Sequence, residues 1–335
     1  MMKSISTAAN SRFGLALFGT PFKRPGIGHF VQTQWGSGKF GTGWIRKDHR
    51  MNTVIITGAT SGIGLAAARA LLKQSFRVIG IGHSQINCTN AKAELLKEFP
   101  AADLTYYWGD LMQQREVKRI AECLAVHLKE HCEGRLHALI NNAGCTRSWY
   151  TTTEEGYEQQ FAVNHLAGFM LTHYMMPYLK NGGRVIMTGS GSHKHMKIHW
   201  QDLMFQKRYH PLLAYKQSKL CNMLFAQSLN TLYAPFGIKA YVVDPGLVAT
   251  DIGFKQTGGL VSLVWSIRKK QGVAPEVPAK TYAFLCSAQP PEDHLYYYLC
   301  KKAPYSKQVT AANADRLFAL CEKLCNITFG TEKSI

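Results

Sequence analysis

The feature that most constrains the fold of this chain is a glycine-rich segment, residues 57–64, between an apolar run and a helical stretch. A strand, a tight glycine turn and a helix N-terminus in this order form a binding site for the pyrophosphate of a dinucleotide. The glycines permit close backbone approach, while the unpaired N–H groups of the helix attract phosphate. The loop residues predicted to bind the cofactor are Gly58, Ser61, Gly62, Ile63 and Gly64.

The rest of the chain repeats the alternation of strand and helix. Seven short apolar runs alternate with longer segments of helical period: 53–56, 77–81, 104–107, 136–140, 184–187, 238–243 and 295–299. This alternation is typical of a parallel sheet covered by helices on both faces. No linker or repeat divides residues 51–330. We therefore predict one α/β domain over 51–330, a Rossmann-type doubly wound parallel sheet in three layers.

Residues 1–50 differ from the rest, since they are rich in glycine, serine and basic side chains and carry a net charge of +7. Two interpretations compete: an organelle transit peptide, or a disordered extension. Pro21 and Pro25 favour the disordered extension because proline interrupts an amphipathic helix. Nine cysteines without a CxxC pair indicate free thiols in a reducing compartment, so we expect a cytoplasmic protein, with an organelle as the alternative.

The formal charge of +18 suggests an anionic partner: nucleic acid, a membrane surface or a small molecule. No nucleic-acid-binding module is recognisable, so we predict no nucleic acid. No run approaches the roughly 20 apolar residues of a membrane-spanning helix, and no transmembrane segment is expected. Because the glycine loop already predicts a dinucleotide site, we expect the anionic partner to be a phosphorylated dinucleotide. Peripheral membrane contact and homo-oligomerisation stay open.

Several motifs follow the loop in order: Asp110-Leu111, Asn141-Asn142-Ala143-Gly144, Asn164, Ser190, Tyr215-xxx-Lys219 and Pro245-Gly246. With the Gly-x-x-x-Gly-x-Gly spacing of the loop, they resemble the short-chain dehydrogenase/reductase family over residues 52–329. The resemblance implies a nicotinamide cofactor and the interconversion of a carbonyl compound and its alcohol. The further cofactor-binding residues that it implies are Asp110, Leu111, Asn142, Ala143, Gly144, Tyr215, Lys219, Pro245, Gly246, Val248 and Thr250. A helix N-cap for residues 112 onward is the alternative role of Asp110.

Four residues are the predicted catalytic group: Asn164, Ser190, Tyr215 and Lys219. Tyr215 opens a predicted helix, and its i, i+4 spacing to Lys219 places both side chains on one face. A nearby ammonium group favours the phenolate, which allows Tyr215 to exchange a proton with a substrate oxygen. The resemblance assigns the nicotinamide ribose to Lys219, the substrate oxygen to Ser190 and a relay water to Asn164. Ser192 and Thr188 are nearby rivals of Ser190.

The end of the second strand distinguishes NAD from NADP, because an acidic side chain there binds the ribose 2′-hydroxyl. No carboxylate stands at that position, and His83 falls where NADP-using relatives often carry arginine. An exposed loop residue is the alternative interpretation of His83. We predict NADP(H) in preference to NAD(H), with His83 among the cofactor-binding residues.

The branch of the family is indicated by an insert, because Ser190 and Tyr215 are 25 residues apart. Residues 193–203 resemble retinol-dehydrogenase-like members, which implies a lipophilic aldehyde or ketone, retinoid- or steroid-like, and its alcohol. Two alternatives stay open: a C=C reductase like protochlorophyllide reductase, and a catalytically silent cofactor-binding protein. His193, His195 and His199 have ligand-like spacing, but no Cys or carboxylate completes the set and no metal is predicted.

An apolar run, residues 260–267, precedes the basic cluster Arg268-Lys269-Lys270. In the family this region builds a lid over the substrate. An apolar lid suits a lipophilic substrate, and an ordinary amphipathic helix packed on the core is the alternative.

Overall fold

All seven apolar runs form strands of one sheet. The computed structural model describes residues 51–249, 272–287 and 293–330. The parallel strands are β1 (Thr53–Thr57), β2 (Arg77–Gly82), β3 (Leu104–Trp108), β4 (Leu136–Asn141), β5 (Leu179–Thr188), β6 (Lys239–Asp244) and β7 (Tyr296–Tyr298). An antiparallel edge strand, β8 (Lys301–Lys302), adds to β7 and had no signal in the sequence pattern.

The order of the strands is β3-β2-β1-β4-β5-β6-β7-β8. The chain therefore proceeds outward from β1 to β3 and then returns to the other side of β1, where β4 pairs with it. Ligands of such doubly wound sheets bind outside the carboxyl ends of the strands at this reversal. The predicted fold class is confirmed, and it places the glycine loop after β1 next to the end of β4.

Helices cover both faces of the sheet. They are α1 (Gly62–Leu72), α2 (Gln85–Glu98), α3 (Gln114–His131), α4 (Gln159–Phe161), α5 (Ala167–Met175), α6 (Pro211–Tyr233), α7 (Glu276–Leu285) and α8 (Ala311–Cys325). Successive residues of β1 belong to different cores: Ile55 packs with α3, α5 and α6, whereas Val54 and Ile56 pack with α1 and α7. Both faces of the strand are buried, as its continuous apolar run predicts.

Helix α8 closes one face by packing against α6. Cys321 and Cys325 lie on its buried face with Leu317. No helix in the described ranges combines the length and the apolarity needed to cross a membrane. The extension 1–50, the apolar run 260–267 with its basic cluster, and Thr250 lie outside the described residues.

Candidate active site

The glycine loop turns sharply from β1 into α1. Gly58 has a φ of +66° and Gly62 a φ of +54°, in the left-handed region that side chains other than glycine rarely adopt. Gly64 is required for a different reason, because a Cβ there would lie 2.1 Å from the carbonyl oxygen of Gly58. The loop is anchored to the neighbouring strand by Ala59 N, which donates to Ile81 O at 3.1 Å.

The N-terminus of α1 is suited to an anion. Ser61 precedes the helix in an extended conformation, and its side chain caps none of the first N–H groups. The first turn contains no acidic residue that would neutralise the positive end of the helix dipole. The first N–H groups of this 11-residue helix, which no side chain caps, therefore fit the pyrophosphate of a dinucleotide.

The end of β4 braces this loop. Thr57 Oγ1 accepts hydrogen bonds from the backbone N–H groups of Asn142 and Ala143, each at 2.9 Å. The Asn142 side chain donates from Nδ2 to Thr57 O at 3.0 Å. Asn142 thus holds the glycine loop against the strand end. The role of Thr57 was not predicted, and its position immediately before the first glycine is the signal that could have found it.

His83 and Asp110 meet at the ends of β2 and β3. His83 Nδ1 lies 3.7 Å from Asp110 Oδ1, and the side chain of His83 is 72% exposed. Asp110 Oδ1 also accepts from Met112 N at 3.0 Å. This contact closes a local turn and does not cap α3, which begins only at Gln114. Leu111 follows at the rim of a small cleft that Ala143 and Asn164 also line.

Tyr215 and Lys219 lie together on α6, as their spacing predicted. Lys219 Nζ is 5.7 Å from the centroid of the Tyr215 ring. Nζ donates to Thr188 O at 3.0 Å, and Lys219 is 2% exposed. Burial disfavours the ammonium form and lowers the pKa of Lys219 to about 8. The site therefore contains a buried amine beside a half-buried tyrosine.

The helix that carries this pair begins earlier than predicted. Tyr215 was expected to open it, but α6 starts at Pro211. Proline is favoured in the first helical turn because its missing N–H needs no partner there. His210 precedes the helix, and its Nδ1 accepts from Leu213 N at 3.3 Å. Tyr215 consequently lies in the second turn, with a full helical turn on its N-terminal side.

Asn164 lies in a π-helical turn, Ala162–Leu166, between α4 and α5. Its Oδ1 accepts from Cys145 N at 2.7 Å, and its Nδ2 donates to Cys145 O and, at 3.0 Å, to Ser218 Oγ. Ser218 Oγ in turn donates to Tyr215 O at 2.8 Å. Asn164 therefore occupies an irregular turn, a feature frequent at functional sites. Its amide links the segment after β4 to the helix of Tyr215.

Gly144 brings the same groups close together. A Cβ at Gly144 would lie 3.0 Å from Asn164 Oδ1 and 3.7 Å from Lys219 Nζ. A Cβ at this position would therefore crowd the amide of Asn164 and come into van der Waals contact with the amine of Lys219. The structure thus places Gly144, Asn164 and Lys219 around one point.

Ser190 lies two residues after the end of β5 and is half-buried. Its Oγ accepts from Ser192 N at 3.3 Å and from Ser192 Oγ at 3.0 Å. Ser192, the alternative to Ser190 as the residue that binds the substrate oxygen, is thus a hydrogen-bond donor to Ser190. Thr188, the weaker rival, hydrogen-bonds to Tyr282 OH through Oγ1 and to Lys219 through its carbonyl group.

The segment after β6 leaves the sheet through a braced turn. Asp244 Oδ1 accepts from Gly246 N at 2.9 Å, and Asp244 Oδ2 accepts from Tyr296 OH at 2.5 Å. Val248 forms a parallel bridge with Val273. Because β6 runs parallel to β1 in the sheet, the segment after it leaves at the same edge as the glycine loop. This segment contains Pro245, Gly246 and Val248.

The histidines of the insert separate. His193 is fully buried, with Nδ1 donating to Ser190 O at 2.6 Å and Nε2 accepting from Ser306 N at 3.3 Å. His195 and His199 are exposed. In the part of the chain that the structure describes, no group of three His, Cys, Asp or Glu side chains is placed to hold a metal ion.

A buried carboxylate anchors the far end of the insert and was not predicted. Glu158 caps α4 by accepting from Gln160 N at 3.0 Å and Phe161 N at 2.7 Å. Tyr209 OH donates to Glu158 Oε1 at 3.0 Å. Burial raises the pKa of Glu158. Glutamate is not among the residues usually favoured as helix N-caps, so the sequence carries no signal for this cap or for its tyrosine partner.

Comparisons with known proteins agree with these features. A family model for short chain dehydrogenases matches residues 52–257. Retinol dehydrogenase 12 of Mus musculus is 32% identical over 277 residues, which cover 81% of this chain and 85% of that protein. Retinol dehydrogenase 13 of Homo sapiens is 32% identical over 290 residues, with a coverage of 82% and 85%. The crystal structure of an uncharacterised protein from Mycobacterium paratuberculosis has a TM-score of 0.65 and 27% identity, and covers 83% of this chain and 95% of that one.

Proposed function

Because this chain belongs to the short-chain dehydrogenase/reductase family, in its retinol-dehydrogenase-like branch, we propose that it interconverts a lipophilic aldehyde or ketone and its alcohol with NADP(H), using Tyr215 as the acid–base group. Members of this family are oxidoreductases that act on CH–OH and C=O groups and bind a nicotinamide dinucleotide, and this chain is one of them. The observation that supports Tyr215 as the acid–base group is its pairing with the buried Lys219 on one face of α6.

We assign the pyrophosphate of the cofactor to the turn of Gly58, Ser61, Gly62, Ile63 and Gly64. Support comes from the uncapped N-terminus of α1 and from the absence of acidic residues in its first turn. Asp110 and His83, which meet at the ends of β2 and β3, are assigned to the adenosine half. No carboxylate ends β2, and this supports NADP(H) over NAD(H). When bound, the cofactor supplies or accepts the hydride.

The protein's own groups handle the proton. In the direction of reduction, the Tyr215 hydroxyl donates a proton to the substrate oxygen; in oxidation, the phenolate accepts it. The ammonium group of Lys219, 5.7 Å from the ring centroid, stabilises that phenolate. Ser190 Oγ donates a hydrogen bond to the same oxygen atom. We assign Asn164, which reaches the Tyr215 backbone carbonyl group through Ser218, to hold the water that relays this proton.

A lipophilic substrate is supported by the curated relatives, which are named retinol dehydrogenases. The insert between Ser190 and Tyr215 is anchored at both ends, by His193 to Ser306 and by Tyr209 to Glu158. We assign this segment, which begins beside Ser190, to contact with the substrate.

The test is Tyr215→Phe, with the wild type assayed on a panel of long-chain and short-chain aldehydes, ketones and alcohols. Because the variant loses the group that exchanges the proton, we expect turnover to fall by about a hundredfold or more. NADPH binding, measured by titration calorimetry, stays nearly unchanged.

The control is Tyr178→Phe, a half-buried tyrosine immediately before β5, at the amino end of the strand and away from Ser190. It is expected to keep wild-type turnover. Wild-type protein that binds neither NADPH nor NADH contradicts the proposal. Binding without turnover in both wild type and Tyr215→Phe identifies the catalytically silent alternative instead.

A further inference from the structure

A buried series of hydrogen bonds connects α8 to the carbonyl group that holds Lys219. Thr188 O accepts from Lys219 Nζ at 3.0 Å and from Asn222 Nδ2 at 3.1 Å. Asn222 Oδ1 lies 3.0 Å from His165 Nδ1. His165 Nε2 lies 3.3 Å from Cys321 Sγ. One series of hydrogen bonds thus joins Lys219, Asn222, His165 and Cys321. Of these four, only Lys219 belongs to the proposed catalytic group.

The direction of each hydrogen bond follows from the chemistry of the groups. The oxygen of an amide side chain can only accept, so His165 Nδ1 carries the proton that Asn222 Oδ1 receives. His165 Nε2 is then unprotonated and accepts from the Cys321 thiol. Burial favours this neutral ring and lowers the pKa of His165 to about 4. The series therefore has one orientation, from the thiol of Cys321 to the carbonyl oxygen of Thr188.

The series lies in the core. His165 and Cys321 are fully buried, and Asn222 is 1% exposed. A buried polar group left without its partner costs more free energy than the bond itself contributes. The partners therefore fix one another's positions, because water cannot replace any of them.

Each part of the series adjoins a residue of the proposed catalytic group. His165 follows Asn164, and Thr188 lies two residues before Ser190. Asn222 comes one helical turn after Lys219 on α6, so both side chains reach the same carbonyl group. In the part of the chain that the structure describes, Thr188 O is the hydrogen-bond acceptor of Lys219 Nζ. The position of the ammonium group thus depends on where this carbonyl group points.

We propose that Asn222, held by His165, is a positioning residue that clamps the end of β5 to α6 and thereby aligns Lys219 and Tyr215 with Ser190. The inference rests on the proposed function, since it assigns these residues to the alignment of that site. Without Asn222, Thr188 O is tied to α6 by the flexible lysine side chain alone. The serine on the strand and the tyrosine on the helix then lose their fixed relation.

The experiment compares Asn222→Leu with the wild type. Leucine has a similar size and removes both hydrogen bonds of the amide. We expect kcat/KM for the carbonyl substrate to fall by about tenfold or more, because the loss of the buried hydrogen bond to Thr188 O leaves the catalytic groups misaligned. The Kd for NADPH rises as well, because Lys219 is released from its anchored position.

The matched control is Leu229→Ala, on the same helix and 1% exposed. This variant loses packing and has a lower melting temperature, but it keeps the polar series. At a temperature at which both variants are folded, it is expected to show wild-type kcat and Kd. If the loss of activity is proportional to the loss of melting temperature in both variants, Asn222 is not a positioning residue.

A second pair of variants tests His165. His165→Leu removes the donor to Asn222 Oδ1 and is expected to reproduce the kinetic loss of Asn222→Leu. In His165→Gln the side-chain amide can still donate to Asn222, so turnover returns toward the wild-type value. Equal activity of the two variants contradicts the role of His165.

The failure of this inference is distinguishable from the failure of the proposed function. If the wild type turns over a carbonyl substrate and Asn222→Leu matches it in kcat and Kd, only the positioning role is wrong. If the wild type turns over none, a crystal structure of Asn222→Leu decides. Displacement of Lys219 Nζ from hydrogen-bonding distance of Thr188 O supports the clamp, and an unchanged position contradicts it.

Discussion

At the scale of single residues, the candidate site depends on polar groups that are buried together with their partners. Lys219 and Asn164 are both nearly inaccessible, and each has hydrogen-bond partners inside the protein. The spacing of Tyr215 and Lys219 made this pair predictable because side chains four residues apart share one helix face. Asn222 and His165 were not predictable, since nothing in the sequence shows that β5 and α6 bring them to one carbonyl group.

The proposed preference for NADP(H) can be tested at one position, His83. In His83→Asp a carboxylate stands where it repels a 2′-phosphate and can accept a hydrogen bond from a ribose 2′-hydroxyl. We expect the KM for NADPH to rise by about tenfold or more, a change of about 1.4 kcal/mol, while the KM for NADH falls. Steady-state kinetics with both cofactors measure this.

His83→Asn is the matched control, because it removes the imidazole without adding a charge. It is expected to raise the KM for NADPH without lowering the KM for NADH. An unchanged ratio of the two KM values in His83→Asp argues that the exposed side chain of His83 is only a loop residue.

At the scale of elements, the turn from β1 into α1 was the most predictable part of the molecule. Gly58 and Gly62 adopt positive φ angles, and only residues without a Cβ do so freely. The starts of helices were less predictable. Helix α6 begins four residues before Tyr215, and the segment around Asn164 is a π turn. The early start of α6 follows from Pro211 and the His210 cap, which are local features, whereas the turn around Asn164 is held by a tertiary partner, Ser218.

Gly64→Ala tests the packing of this turn. The added Cβ would meet the Gly58 carbonyl group at 2.1 Å and Asn142 Nδ2 at 2.6 Å, so the loop has to shift. We expect a loss of about 1–3 kcal/mol in the free energy of unfolding, together with weaker NADPH binding. Urea denaturation and calorimetry measure the two effects.

Ala70→Gly, in the same helix, provides the comparison. It lowers stability by about 1 kcal/mol through helix propensity and leaves the loop untouched. NADPH affinity is expected to fall in Gly64→Ala and not in Ala70→Gly. Wild-type affinity and stability in Gly64→Ala would mean that the close contact is relieved without cost.

At the scale of the whole molecule, the sheet divides the interior into two cores, and the one that contains α5, α6 and α8 also contains His165. Its pKa of about 4 lies below the ordinary 6.5, so the folded protein resists protonation that the unfolded chain accepts. The stability from the neutral ring is present above pH 6.5 and is lost as the pH falls toward 4. We expect the free energy of unfolding to fall by about 2 kcal/mol between pH 7 and pH 5 from this residue.

His165→Gln measures that contribution, because glutamine keeps the donor to Asn222 and does not titrate. Urea denaturation at pH 7 and pH 5 should give a smaller decrease for the variant than for the wild type. Half-buried His137 and buried His193, whose pKa values are also lowered by burial, keep part of the decrease in both proteins. Identical decreases in variant and wild type would contradict a buried neutral His165.

The sequence by itself determined the strand–helix alternation, the glycine turn and the Tyr215–Lys219 pair. Each of these depends on residues close together in the chain, where spacing maps directly onto geometry. Only the tertiary structure decided that Thr57 braces Asn142, that Tyr209 reaches Glu158, and that Cys321, His165 and Asn222 line up behind Thr188. These contacts join residues from 51 to 156 positions apart, except for the step from Asn222 to Thr188, which spans 34. Such pairings follow from the order of strands in the sheet, which no local pattern encodes.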